Sequence, residues 1–132
     1  MTIQDQVFGA ICAWKENRGG GKEGMQSVLN VLQNRAASRG TSIYAEAVRK
    51  WQFSSLTAPG DANLVIWPAE TDPEWAAALS LASQAAAGTL EDITNGATSY
   101  YAPAGMPGGS APGWAASMTQ VADIAGQLFF KA

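Results

Sequence analysis

The stretch from Ile3 to Asn17 constrains the fold more than any other part of the chain. Ile3, Val7, Ala10, Ile11 and Trp14 recur at spacings of three and four, one face of an α-helix. Phe8, Gly9, Cys12 and Ala13 make the opposite side apolar as well. A helix apolar nearly all round belongs in the middle of a fold, packed on both sides. The pattern stops at Asn17, ahead of Gly19-Gly20-Gly21, so the expected architecture is built around a central first helix.

A second helix is predicted from about Glu23 to Ser38. Met25, Val28, Leu29, Leu32 and Ala36 form its narrow apolar stripe, Asn30, Gln33 and Asn34 look elsewhere, and Gly40 ends it. Thr41 or Ser42 can cap a short third helix carrying Ile43, Ala47 and Val48. From Trp51 to Pro68 there is no helical period; Pro59-Gly60-Asp61 is turn chemistry, and Leu64 to Trp67 suits a short strand. Asp72-Pro73-Glu74 then supplies a cap, a proline at the first helical position and an acid in the first turn. The alanine-rich helix so opened runs to Ala87, with Gly88 as its stop.

After Leu90 the character changes. Ala97 to Tyr101 reads as a strand following an Asn95-Gly96 turn, and Met118–Ile124 pairs with Gln127–Phe130 as a hairpin across Ala125-Gly126. Between them, the prolines and glycines of Ala102 to Gly113 make a long loop suited to a lid. The predicted class is α+β, helices first with a small antiparallel sheet near the C-terminus, in one domain over residues 1–132.

Composition removes whole classes of chemistry. The 132 residues include no histidine, which excludes imidazole-ligated zinc and both Ser-His-Asp and Cys-His nucleophiles. No cluster of metal ligands stands out, so neither a metal nor another cofactor is expected. The lone Cys12 can form no internal disulfide and should be an inert core thiol. A net charge of −3 points away from nucleic acid, and no apolar run approaches the roughly 18 residues of a membrane span. Met1 to Gln6 lacks the basic start and apolar core of a signal peptide, so synthesis in the cytoplasm is expected.

Carboxylates are therefore the leading acid/base candidates. Glu70, Asp72 and Glu74 are accounted for by the helix start, Asp61 by a turn, and Glu46, Glu91 and Asp92 by ordinary surface charge. Glu16 differs. It follows Gly9, Cys12 and Ala13 at offsets of seven, four and three, so it extends an apolar face. It also sits in the last helical turn, where the negative end of the macrodipole disfavours a carboxylate. Both influences favour the protonated form that a general acid needs. The other reading is a solvated side chain paired with Arg18 or Lys22. Gly19-Gly20-Gly21 would let backbone pass close to a ligand. Trp51-Gln52-Phe53-Ser54 and Ser99-Tyr100-Tyr101 mix rings with amides and hydroxyls, which suits either a core or a sugar cleft.

These residues resemble a family. Trp14-Lys15-Glu16-Asn17-Arg18-Gly19, Glu23-Gly24-Met25 and Val28 to Arg35 are similar to the opening of the SleB-like cell-wall hydrolases. Gln52-Phe53-Ser54, Asn95 to Pro103, Pro112-Gly113-Trp114-Ala115 and Ile124 to Phe130 continue the resemblance in order. It implies a small lysozyme-like fold and cleavage of peptidoglycan glycan strands by a lytic transglycosylase. On that resemblance Glu16 is the catalytic acid/base, and Gln52, Ser54, Ser99, Tyr100, Tyr101 and Trp114 contact glycan. Four departures stand out: Ser99 and Gln127 replace frequent histidines, Gly20 replaces a frequent second glutamate, and Lys15 replaces a usual glycine. A hydrolytic mechanism needing two carboxylates is weakened, and the one-carboxylate route is left intact. A monomeric phage endolysin or virion-carried lysin is the expectation, delivered to the wall by a holin or virion partner. A hydrolytic muramidase and a non-catalytic glycan-binding or virion structural module are the rival readings.

Overall fold

Thr2 opens the first helix, α1 (Ile3–Asn17), with a reciprocal cap. Its hydroxyl accepts from the Asp5 amide at 3.1 Å, and the Asp5 carboxylate accepts from the Thr2 amide at 2.9 Å. The structure, a computed structural model, describes residues 1–49 and 52–132, so the expectation for Trp51 lies outside the described residues. Gly21–Arg39 forms α2, stopped by Gly40 at a φ of +64°, and Ser42 caps α3 (Ile43–Ala47). A single turn, α4 (Ser54–Thr57), precedes α5 (Pro73–Ala87), which Asp72 caps through the Glu74 amide at 2.9 Å. The other Asp72 oxygen accepts from the Trp14 indole at 2.9 Å, fixing the start of α5 to the end of α1.

Helix α1 packs on α2, α3 and α5, as its apolar character predicts, but not all round. Ile3 is 79% exposed and Val7 is exposed too; the buried side carries Gly9, Ala10, Cys12, Ala13 and Trp14. Gly9 marks the tightest approach, since a Cβ there would lie 3.1 Å from Leu29 and 3.3 Å from Ile43. The expected strand at Leu64–Trp67 is replaced by a 3-10 turn over Ala62–Val65, because the Asp61 side chain accepts from the Asn63 amide and closes the backbone. Val65, Ile66 and Trp67 are left exposed.

Strands β1 (Ser99–Tyr101), β2 (Thr119–Ile124) and β3 (Gln127–Lys131) form an antiparallel sheet in the order β1-β3-β2. Ala125 and Gly126, at φ values of +50° and +78°, make the tight turn between β2 and β3. Phe129, opposite Tyr100, is fully buried with Val31 and Ala97, and this small core seats the sheet on α2. Between α5 and β1 the chain is held by side chains of α2 that the hydrophobic pattern turned outward. Asn30 is buried; its amide donates to the Glu91 carbonyl at 3.1 Å and its carbonyl accepts from the Ile93 amide at 3.1 Å. Asn34 donates to the Ala97 carbonyl at 2.9 Å. These side chains satisfy backbone groups of a segment without secondary structure, which explains why they face the protein.

Asn17 closes α1 in a space only glycines leave open. Its amide donates to Gln127 at 3.0 Å, and a Cβ on Gly20 or Gly24 would sit 2.7 Å from its side chain. Two of the departures from the family pattern, Gly20 and Gln127, thus meet in one local arrangement around Asn17. At Gly24 the clash also involves the Asn17 backbone oxygen at 3.1 Å, which cannot swing away. Gly24→Ala is expected to destabilise the protein by about 1–3 kcal/mol, read as a lowered thermal midpoint. An unchanged midpoint would show that this helix junction has slack.

Candidate active site

Glu16 ends the buried face of α1, and two hydroxyls from distant parts of the chain converge on it. Ser55, on α4, donates to Oε2 at 2.5 Å, and Tyr100, on β1, donates to Oε1 at 2.9 Å. Burial, then the neighbouring Glu16 charge, pushes the Tyr100 phenol well above its ordinary pKa, so it remains a donor. The same two causes push up the Cys12 thiol, which is fully buried and inert. Arg18 does not pair with Glu16. Its guanidinium caps the carbonyls of Trp14 and Lys15 at 3.3 and 3.4 Å and lies 4.2 Å from the Trp14 ring centre. That places a cation on the negative end of the α1 dipole.

A cleft of about 370 Å³ opens beside the carboxyl group, lined by Lys15, Glu16, Asn17, Arg18, Gly19 and Asn63. Glu16 is the one carboxylate among the described residues that line it. Nor do the described residues hold any group of three His, Cys, Asp or Glu side chains arranged for a metal.

Lys15 lines the cleft although it belongs to the apolar helix. Only 4% exposed, its ammonium donates to the carbonyls of Asn63, Leu64 and Ser55 at 2.8, 3.0 and 3.3 Å. It also lies 4.0 Å from the centre of the Trp67 ring. Burial lowers its pKa from the ordinary lysine value, against the pull of Asp61. One ammonium thus pins the segment that carries Ser55 to the residue before Glu16. Lys15→Met keeps the stem and removes the three hydrogen bonds. It is expected to cut kcat about tenfold, as Ser55 loosens from Glu16. Wild-type turnover in Lys15→Met would show that the α4 segment holds its place without the ammonium.

The other residues singled out from sequence divide into three groups. Tyr100 reaches Glu16. Gln52, Ser99 and Trp114 line a second cavity of about 410 Å³, together with Arg35, Arg39 and Tyr100 itself. Ser54 and Tyr101 lie elsewhere. The Ser54 hydroxyl donates to Asp61 at 2.6 Å; Ser55, one position on, takes the place on Glu16. Successive strand residues alternate faces, so Tyr101 points away from Tyr100. It stacks on Phe130 at 5.7 Å and meets the Trp114 edge at 6.0 Å. The sequence reading passed over Ser55, Lys15 and Arg35. Ser55 adjoins a quoted motif, whereas nothing in a linear pattern marks a lysine as buried.

With this geometry in place, comparison with known proteins is decisive at the family level. The sequence pattern of cell wall hydrolases matches residues 19–130. The chain belongs to the cell wall hydrolase family. Glu16 lies just outside the matched stretch, whereas Ser55 and Tyr100 lie within it. The fold of this cell wall hydrolase is similar to the catalytic domain of the germination-specific lytic transglycosylase SleB from Bacillus anthracis. The TM-score is 0.74 at 21% identity, covering 99% of this chain and 97% of that one. No curated protein sequence matches significantly. As a family member the protein is an enzyme that acts on peptidoglycan.

Proposed function

We propose that the protein cuts glycan strands as a lytic transglycosylase, with Glu16 serving as both acid and base. The observation that carries this reading is a single cleft carboxylate fixed on both oxygens by hydroxyls. Hydrolysis by inversion or retention asks for a second carboxylate across the bond, about 6.5–9.5 Å or 5–5.5 Å away. An intramolecular transfer does not. In its carboxylic acid form, Glu16 gives its proton to the oxygen joining muramic acid to the next sugar, and the C1–O bond breaks. The resulting carboxylate takes the proton from the muramic C6 hydroxyl as that oxygen closes on C1. The products are a 1,6-anhydro ring and a free hydroxyl on the leaving sugar, and Glu16 is again protonated.

Ser55 and Tyr100 suit both halves of this cycle. A hydroxyl donates to a carboxylate and, by rotating, can accept from a carboxylic acid. Together they hold the group where the proton must leave and return, which is the orientation such catalysis depends on. Tyr100 keeps its own proton through the cycle because its ionisation is suppressed.

Mass analysis of digested glycan strands tests the reading. Anhydro ends, each lighter by one water than a hydrolytic end, are expected. Reducing muramic ends would refute the transfer mechanism and favour a muramidase, with a second catalytic group still to be found.

A further inference from the structure

Beyond Tyr100, the second cavity has an electrostatic imbalance that the acid/base chemistry does not use. Two guanidinium groups, of Arg39 and Arg49, meet around one carboxylate, and that of Arg35 lines the cavity beside Arg39, in a chain whose net charge is −3. That carboxylate, Glu46, is fully occupied. Arg39 and Arg49 hold Oε1 at 2.7 and 3.2 Å, and Arg49 and Thr41 hold Oε2 at 2.8 and 2.6 Å. Arg35 has no acidic partner among the described residues. It is 8% exposed, donates through Nε to the Thr98 carbonyl, and lies 5.3 Å from the Phe53 ring centre. Its Nη1 is buried with no hydrogen-bond partner among the described residues. A buried guanidinium answered only by a neutral carbonyl is costly, and an entering anion would offset that cost.

We propose that this cavity is a carboxylate subsite for the glycan substrate, with Arg35 and Arg39 as its anion-binding groups. The inference rests on the glycan-cleavage reading above. Tyr100 lines the cavity and touches Glu16, so the two arginines and the acid flank the same tyrosine, and a substituent of a muramic residue at the acid has a cationic cavity beside it. Muramic acid is the only sugar of the strand that bears a carboxylate. The carboxylate is its own lactyl group where no peptide is attached, or belongs to the stem peptide where one is. Gln52 and Ser99 supply neutral polar partners at the rim, and Trp114 a ring. The volume of about 410 Å³ is ample for a lactyl group or the start of a stem peptide.

Binding separates this proposal from the cleavage reading. Glu16→Gln protein, which cannot turn its ligand over, is titrated with peptide-free tetrasaccharide strands, followed by calorimetry. One probe has free lactyl carboxylates, and the other has them converted to methyl amides. A third and a fourth probe carry stem peptides, acidic or fully amidated. An affinity at least about tenfold higher for an acid form over its amide is expected, falling with added salt. The pair that shows the difference identifies whether the lactyl or the stem carboxylate is read. Ser99→Asp, introduced alongside, places a carboxylate at the cavity wall without removing either arginine, and should bring the acid-to-amide ratio close to one. Equal affinity within both pairs, or no binding of any probe, overturns the proposal. Cleavage by the wild-type protein is measured separately, so either idea can fail alone.

Discussion

Glu16→Gln is expected to lose about 10²–10⁴-fold in glycan cleavage while remaining folded. The amide has the size of the carboxyl group and can still accept from one of its two hydroxyl partners, Ser55 or Tyr100. It cannot release a proton and take it back. The assay is turnover of purified glycan strands, with the thermal midpoint as a control for folding. Glu23→Gln supplies the contrast. Glu23 is exposed in the first turn of α2, where a carboxylate favours the helix dipole, and its replacement should leave turnover near the wild-type value. Activity retained in Glu16→Gln would refute the assignment of the acid. An inactive but folded Glu23→Gln would instead indicate that two carboxylates share the chemistry.

The second large effect concerns stability and acid. Glu46 has a side chain with 0% exposure, placed between Arg39, Arg49 and Thr41. Burial alone would raise its pKa; the hydrogen bonds from Arg49 and Thr41 and the two positive charges outweigh it and hold the group at about 2. A folded-state pKa below the unfolded value means that the ionised form stabilises the fold. This contribution is complete above the ordinary value of 4.5 and is lost as the pH falls from there through about 2. Glu46→Gln should therefore cost about 3 kcal/mol at neutral pH, because it leaves Arg39 and Arg49 without their carboxylate. The difference between wild type and variant should shrink on acidification toward pH 2. Thermal melts across that range provide the check, and a constant gap would remove Glu46 as the source.

How much of this was legible in the sequence depends on the range of each interaction. Caps and stops are local, and they were read correctly: Ser42, Asp72, Gly40 and Gly88 all end or begin helices as their chemistry requires. The Ala125-Gly126 hairpin is equally local. Glu46 was assigned to the surface because its partners come from the end of α2, from the loop after it and from beyond α3, and no period joins them. Asn30 and Asn34 were turned outward for a similar reason, since their partners lie more than sixty residues away. In the site, the face of α1 set Glu16 apart. Ser55 was invisible because α4 is a single turn, too short to show a face.

Spacing along the chain also determines when the site can exist. Tyr100 reaches Glu16 across 84 residues and Ser55 across 39. Contacts this remote carry a large loop-closure entropy and form late, after local helices have already condensed. A chain emerging from the ribosome will thus complete α1 to α5 with its acid in place but its phenolic partner absent. Tyr100 arrives only when β3, which follows it in the chain, pairs with β1. Competence to cut is therefore gated by completion of the C-terminal sheet, and a truncated product ending before Gln127 is expected to be inert toward the wall.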